Sequence, residues 1–169
     1  MSTNIAFVQN GSRIIARIGS SLYLVVTNPP NRPKVKKTVA ILEPHEILRL
    51  CLEEIMIHLN YDIVAKSGDS LDFIEQLAML ETNPDAIISE TQLTDLPDIS
   101  LFRHLKFHYP EVPILAFSAD DTLYSVDIAL TEGADGFLEK GCSLQQLQER
   151  LVEITMKNLI VKPNGVLSR

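Results

Sequence analysis

The chain has 169 residues, 46% of them hydrophobic, and a formal net charge of −7. That length supports one buried core with modest tails, while apolar runs as short as Leu22–Val26 rule out both the roughly 20 residues of a membrane-spanning helix and the about 7–15 of a secretory signal. Cys51 and Cys142 sit in unrelated contexts without metal-ligand spacing, so reduced thiols and a cytoplasmic location are expected.

The charge is segregated. Residues 1–37 hold six basic side chains (Arg13, Arg17, Arg32, Lys34, Lys36, Lys37) and no acid, and residues 156–169 add Lys157, Lys162 and Arg169. All 22 acidic residues therefore fall in 38–155, against six basic ones, a net −16. Such a body repels nucleic acid, so any contact with a polyanion falls to the arms, chiefly residues 1–37.

In chain order, Ile5–Val8, Arg13–Ile18 and Leu22–Val26 are apolar runs separated by Asn10-Gly11 and Gly19-Ser20-Ser21, which are turn signals. The extension 1–37 reads as a short β-meander, or equally as a disordered arm or a targeting peptide. Pro29, Pro30 and Pro33 then remove amide donors and fix φ, which ends regular structure there.

From Thr38 onward, Val39–Leu42, Ile63–Ala65, Ala86–Ile88, Ile114–Phe117 and Gly136–Leu138 read as short strands, and each is followed by a helical pattern. Leu48, Cys51 or Leu52, Ile55 and Leu59 make the first apolar stripe, and Asn60 ends it with a residue suited to a left-handed cap. Leu71, Ile74, Leu77 and Met79–Leu80 make the second, with Asp69 and Asp72 as carboxylates at its start. Leu101, Leu105 and Phe107–His108 form the third, Tyr124, Val126–Asp127 and Leu130 the fourth, stopping at Gly133. The fifth starts at the N-cap Ser143, with Gln146 three residues on, and carries Leu144, Leu147, Leu151 and Ile154. Five strand–helix repeats predict an α/β fold with a doubly wound parallel sheet over 38–155, followed by a tail over 156–169.

In an open parallel sheet, functional groups collect beyond the carboxyl ends of the strands. Polar residues there include Glu43 (with Pro44), Glu90, Ser118 and Lys140, a candidate polar rim. Strand ends must turn polar somewhere, so spacing alone leaves an ordinary surface as an equal reading. His45 reads as an exposed first-turn residue, and His104 and His108 as surface residues with no third ligand. Cys142, close to Lys140, has nothing to pair with. None of the seven glycines forms a GxGxxG or GxxxxGK phosphate loop.

The stretches around the rim carry more information. VAILEPHEILRLCLEEI, PDAIISETQLTDLPD, PEVPILAFSADD and TEGADGFLEKGCS, in that order and spacing, resemble the receiver domain of two-component response regulators. The resemblance covers about residues 38–155 and implies the flavodoxin-like strand order 2-1-3-4-5. It places the phosphoacceptor position at Glu90, the acidic pair that holds Mg²⁺ at Glu43 and Pro44, the phosphoryl-contacting hydroxyl at Ser118, the conserved lysine at Lys140 and the aromatic switch at Phe137. Ser118, Phe137 and Lys140 fit the pattern. Glu90, Pro44, and Thr94 and Asp98 (where a proline and a glycine are usual) depart from it. The subfamily most resembled carries a C-terminal helix-turn-helix, for which the roughly 14 residues after the fifth helix are too few.

Pro44 offers no side-chain oxygen, leaving Glu43, Glu90 and a loop carbonyl, that of Gln92, for a metal that demands near-octahedral oxygen coordination. Glu90 is one methylene longer than aspartate, a displacement of more than about 1 Å, which can cost on the order of 100-fold in a positioned reaction. The expectation is therefore a degenerate receiver, not an enzyme, with no metal and no cofactor. A Glu90–Lys140 pair with a hydrogen bond from Ser118 is expected either to imitate the phosphorylated state in part or simply to satisfy Lys140. Such a module would act by contacting proteins, a histidine kinase or another regulator or a second copy, through the face holding Asp120, Asp121, Tyr124, Phe137, Leu144 and Gln145. The rival readings are a working phosphorelay receiver that uses Mg²⁺, and a binder of nucleic acid or anionic surfaces through the basic arms.

Overall fold

The computed structural model describes residues 7–10, 13–18, 21–26, 36–93, 95 and 100–160. Thr94 and Asp98 lie outside the described residues. The chain divides into two compact units, residues 1–35 and 36–169. In the first, β1 (Phe7–Asn10), β2 (Arg13–Ile18) and β3 (Ser21–Val26) pair antiparallel in the order β1-β2-β3, with Asn10 opposite Arg13 and Ile18 opposite Ser21.

The second unit alternates strand and helix: β4 (Lys37–Leu42), α1 (Glu46–His58), β5 (Tyr61–Ser67), α2 (Ser70–Ala78), β6 (Ala86–Ser89), α3 (Leu101–His108), β7 (Ile114–Ser118), α4 (Leu123–Thr131), β8 (Gly136–Glu139) and α5 (Leu144–Ile160). The five strands are parallel in the order β5-β4-β6-β7-β8, the expected 2-1-3-4-5. α5 continues to Ile160, into the stretch that the sequence reading assigned to the tail.

Successive strand residues point to opposite faces. Val39, Ile41, Ala86, Ile88, Leu115 and Phe117 therefore pack with Leu52 and Met56 of α1 and with Leu147, Leu151 and Ile154 of α5. Ala40, Leu42, Ile87, Ile114 and Ala116 meet Phe73 and Leu77 of α2, Leu101, Phe102 and Leu105 of α3, and Ala129 of α4 on the other side. Both faces being covered explains why the strands read as continuous apolar runs rather than as alternation.

The helical stripes sit partly in a different register from the one expected. In α1 the buried pair is Leu52 and Met56, while Leu48 and Cys51 are exposed. In α2 it is Phe73 and Leu77, with Leu71 and Met79 outside. Phe107 faces solvent in α3, and α4 buries only Ala129, leaving Tyr124 and Leu130 exposed. Where apolar residues occupy more of a helix than the stripe of about 100° that the sheet covers, periodicity cannot say which of them face inward.

The helix ends follow local chemistry. Asp69, Ser100 and Thr122 accept hydrogen bonds from the backbone of Asp72, Arg103 and Ser125. Ser143 and Gln146 exchange bonds in a capping box, at 3.2 and 2.8 Å. Asn60 adopts φ 65°, and Gly133, at φ 118°, sits where a Cβ would come within 2.8 Å of Lys106 Cγ.

Candidate functional site

The carboxyl ends of β4, β6, β7 and β8 bring together the four polar rim residues expected from the sequence. Glu43 follows β4 and is 1% exposed, Glu90 follows β6 at 6%, and Ser118 ends β7 at 1%. Lys140 follows β8, its side chain 9% exposed, and its amide donates to the Ser118 carbonyl at 2.9 Å. Backbone bonds fix the two acids as well: the Glu43 amide donates to Ser67 and the Glu90 amide to Leu42, at 3.1 and 3.0 Å. The sheet register thus sets the spacing of the charges.

The Lys140 ammonium lies 2.6 Å from Glu43 Oε2 and is also paired with Glu90 Oε2. Glu43 Oε1 accepts from the His45 amide at 2.9 Å and lies 2.8 Å from His45 Nδ1. Glu90 Oε1 accepts from the Thr91 amide at 2.6 Å, the Thr91 hydroxyl at 3.0 Å and the Gln92 amide at 3.1 Å. Burial alone would raise the Glu90 pKa, but the hydrogen bond and charge of Lys140, with the Gln92 and Thr91 amides, outweigh it and hold Glu90 below its ordinary value. Lys140 moves the other way: burial disfavours its charge, yet its bonds to Glu43 and Glu90 raise its pKa. Glu90 and Lys140 thus each favour the charged form of the other.

The expected hydrogen bond from Ser118 to Glu90 is absent. The Ser118 hydroxyl is instead hydrogen-bonded with the Thr91 hydroxyl at 2.7 Å and accepts from the Asp120 amide at 3.2 Å. The extra methylene lets Glu90 fold one oxygen back onto the turn that follows its own strand, and Thr91 fills the gap between them. Thr91 is thus a rim residue that sequence reasoning missed. The only available signal was a hydroxyl residue next to the phosphoacceptor position. His45 is the N-cap residue of α1, exposed as expected, but its pairing with Glu43 was not foreseen.

Pro44 is turned to solvent, and its carbonyl accepts from Arg49 Nη1 at 3.2 Å, as does that of Glu43 at 2.6 Å. Both Oε1 atoms of the rim acids accept protein hydrogen bonds, and both Oε2 atoms are ion-paired with Lys140, Glu43 Oε2 without a hydrogen bond. Among the described residues no group of three or more His, Cys, Asp or Glu is placed to hold a metal ion. The magnesium that the fold type implies therefore does not fit the residues present.

Residues of the expected partner face are placed as follows. Tyr124 is 76% exposed and Leu144 43%. The Asp120 carboxylate accepts from the Ser125 hydroxyl at 2.6 Å and the Thr122 amide at 3.1 Å, which together hold its pKa low. Phe137 is half-buried and packs against the core beside α4. The His104 and His108 rings lie against each other tilted by 46°, with centroids 4.5 Å apart. Burial and then the neighbouring His108 lower the His104 pKa.

The profile of the response regulator receiver domain matches residues 39–152. The chain belongs to that family. The receiver is 24% identical over 129 residues to the transcriptional regulatory protein DegU of Brevibacillus brevis, covering 76% of this chain and 54% of that protein. It spans about half the length of the curated relatives it matches. Among solved structures, a receiver domain protein from Clostridium thermocellum superposes with a TM-score of 0.66 at 13% identity, over 74% of this chain and 98% of that one. A sensor histidine kinase receiver domain from Pseudomonas aeruginosa, solved with a magnesium ion coordinated in its active-site cleft, gives 0.63 at 19%, over 72% and 99%. Receiver domains act in two-component signalling and contact histidine kinases and other regulators, generally as signalling modules rather than enzymes. No helix among the described residues is long and apolar enough to cross a membrane.

Proposed function

We propose that this receiver does not accept a phosphoryl group and works as a regulatory or adaptor module through protein contacts. One observation carries the reading: Oε1 of Glu43 and of Glu90 accepts hydrogen bonds from protein donors, and Oε2 of each is ion-paired with the Lys140 ammonium, although Glu43 Oε2 makes no hydrogen bond of its own. Transfer to a carboxylate needs an oxygen free for in-line attack and a metal to neutralise the developing charge. Glu90 has no oxygen free. The acid that would complete the metal site is Pro44.

The α4–α5 face supports the second half of the reading. Leu123 and Tyr124 are 89% and 76% exposed, and Ile128 and Leu144 are 42% and 43% exposed. Exposed apolar side chains clustered on one side are the usual mark of an interaction surface. A histidine kinase, another regulator or a second copy of the chain is the partner class that the family suggests. Glu90, holding Lys140 at the rim, supplies one negative charge where an acyl phosphate would carry nearly two, so the activated state is imitated only in part.

Incubation with Mg²⁺ and acetyl phosphate, followed by intact-protein mass spectrometry, tests the claim. No gain of a phosphoryl group is expected. A stoichiometric gain that disappears in Glu90→Gln would establish a working phosphorelay receiver instead.

A further inference from the structure

We propose that Lys140 is the resident cation of this rim, its ammonium taking the place between Glu43 and Glu90 that a divalent ion would otherwise hold. The inference deepens the reading of a receiver closed to phosphorylation and rests on it. Two carboxylates taken out of water side by side cannot both stay ionised without a countercharge. Among the described residues, Lys140 is the cation that touches both. Arg49 reaches only the backbone carbonyls of Glu43 and Pro44, and the largely exposed His45 reaches only Glu43.

The count of charges explains why one ammonium is enough. An acidic pair on β4 together with the phosphoacceptor on β6 would make three carboxylates, which the single lysine of the family pattern leaves at a net −2, a charge that calls for a divalent ion. Pro44 reduces the three to two. One ammonium then pairs with Oε2 of both acids, while the His45, Thr91 and Gln92 amides and the Thr91 hydroxyl donate to the Oε1 atoms; Glu43 Oε2 meets the ammonium's charge without a hydrogen bond. Lys140 is also anchored at its backbone, its amide bonded to the Ser118 carbonyl at 2.9 Å, so its cation is delivered by the sheet itself. Metal dependence has been replaced by a covalently attached charge.

The test compares wild type, Lys140→Ala, Lys140→Gln and Lys140→Ala/Glu90→Gln as full-length proteins, titrated with CaCl₂ and MnCl₂ against NaCl of equal ionic strength. Removing the ammonium should open a divalent site: Lys140→Ala is expected to bind Ca²⁺ at least about tenfold more tightly than wild type. Its melting temperature should rise with Ca²⁺ while that of wild type stays flat. Mn²⁺ should broaden the amide signals of Glu90, Thr91 and Gln92 in Lys140→Ala only, and the double variant should lose the response. A Lys140→Ala protein that is unfolded in chelator and folds when Ca²⁺ is added also supports the proposal, and Lys140→Gln repeats the measurement without the cavity. Divalent binding at Glu90 in wild type, or no gain of binding in either lysine variant, overturns it. The second result leaves the phosphorylation claim standing, because that claim is judged by the mass measurement on wild type.

Discussion

The rim at the carboxyl edge of the parallel sheet and the α4–α5 face differ in what each leaves free. At the rim, Glu43, Glu90, Lys140, Thr91 and Ser118 are joined into one network in which each charge meets an opposite charge or a donor. On the α4–α5 face, Leu123, Tyr124, Ile128 and Leu144 are apolar groups in water with nothing over them among the described residues. A saturated buried network has little left to offer a ligand, whereas exposed apolar area is a source of binding free energy. On the reading proposed above, the loss of chemistry is local to the rim. The surface through which a partner would be met is a separate feature of the fold.

Restoring the acids is the strongest way to break that contrast. In Pro44→Asp/Glu90→Asp the metal-holding pair and the acceptor length both return. Phosphoryl uptake from acetyl phosphate is expected to rise on the order of 100-fold or more over wild type, followed by mass spectrometry. No rise would mean that the rim geometry has diverged beyond these two positions.

Lys140→Ala comes next. It leaves Glu43 and Glu90 buried without a countercharge, and should lower the unfolding free energy by about 3–5 kcal/mol in urea denaturation at pH 7. Loss of less than about 1 kcal/mol would show a rim open to water, as for an exposed ion pair.

The pH dependence sharpens the same point, and its two limbs have opposite signs. Glu90 has a pKa below its ordinary 4.5, so its contribution is present above that value and is lost as pH falls through the folded pKa. Lys140 has a pKa above its ordinary 10.5, so its contribution is complete below that value and is lost as pH rises through the folded one. Stability should therefore be flat near neutrality and fall in acid below about pH 4.5 and in alkali above about 10.5. Glu90→Gln should flatten the acid limb relative to wild type, measured by denaturation at stepped pH. An unchanged acid limb would remove Glu90 from the balance.

The smallest effect on stability is expected on the other side of the comparison. Tyr124→Ala should change the unfolding free energy by no more than about 0.5 kcal/mol. Partner capture or self-association should nevertheless weaken by about tenfold or more if Tyr124 anchors the face. A large stability loss with binding intact would identify Tyr124 as structural.

Much of the fold was legible in the chain, and for plain reasons. Five short apolar runs separated by helical stretches admit few arrangements other than a parallel sheet covered on both sides. The helix ends were legible too, because Asp69, Ser143, Asn60 and Gly133 act through bonds and dihedrals a few residues long. Polar residues at the ends of four of the five strands located the rim, since strand direction fixes where those residues gather. Helix registers were read less well. Leu48, Leu71 and Phe107 are apolar but lie outside, while Met56, Phe73 and Phe102 were passed over.

By itself, then, the sequence determined the alternation of strands and helices and the membership of the rim, because these depend on local pattern; the strand order and the missing acid at Pro44 followed from its resemblance to the receiver family. Only the tertiary structure decided how the rim's atoms are shared. That Lys140 bridges two acids, that Thr91 stands between Glu90 and Ser118, and that His45 reaches back to Glu43 depend on distances across strands far apart in the chain, fixed by packing on both faces of the sheet.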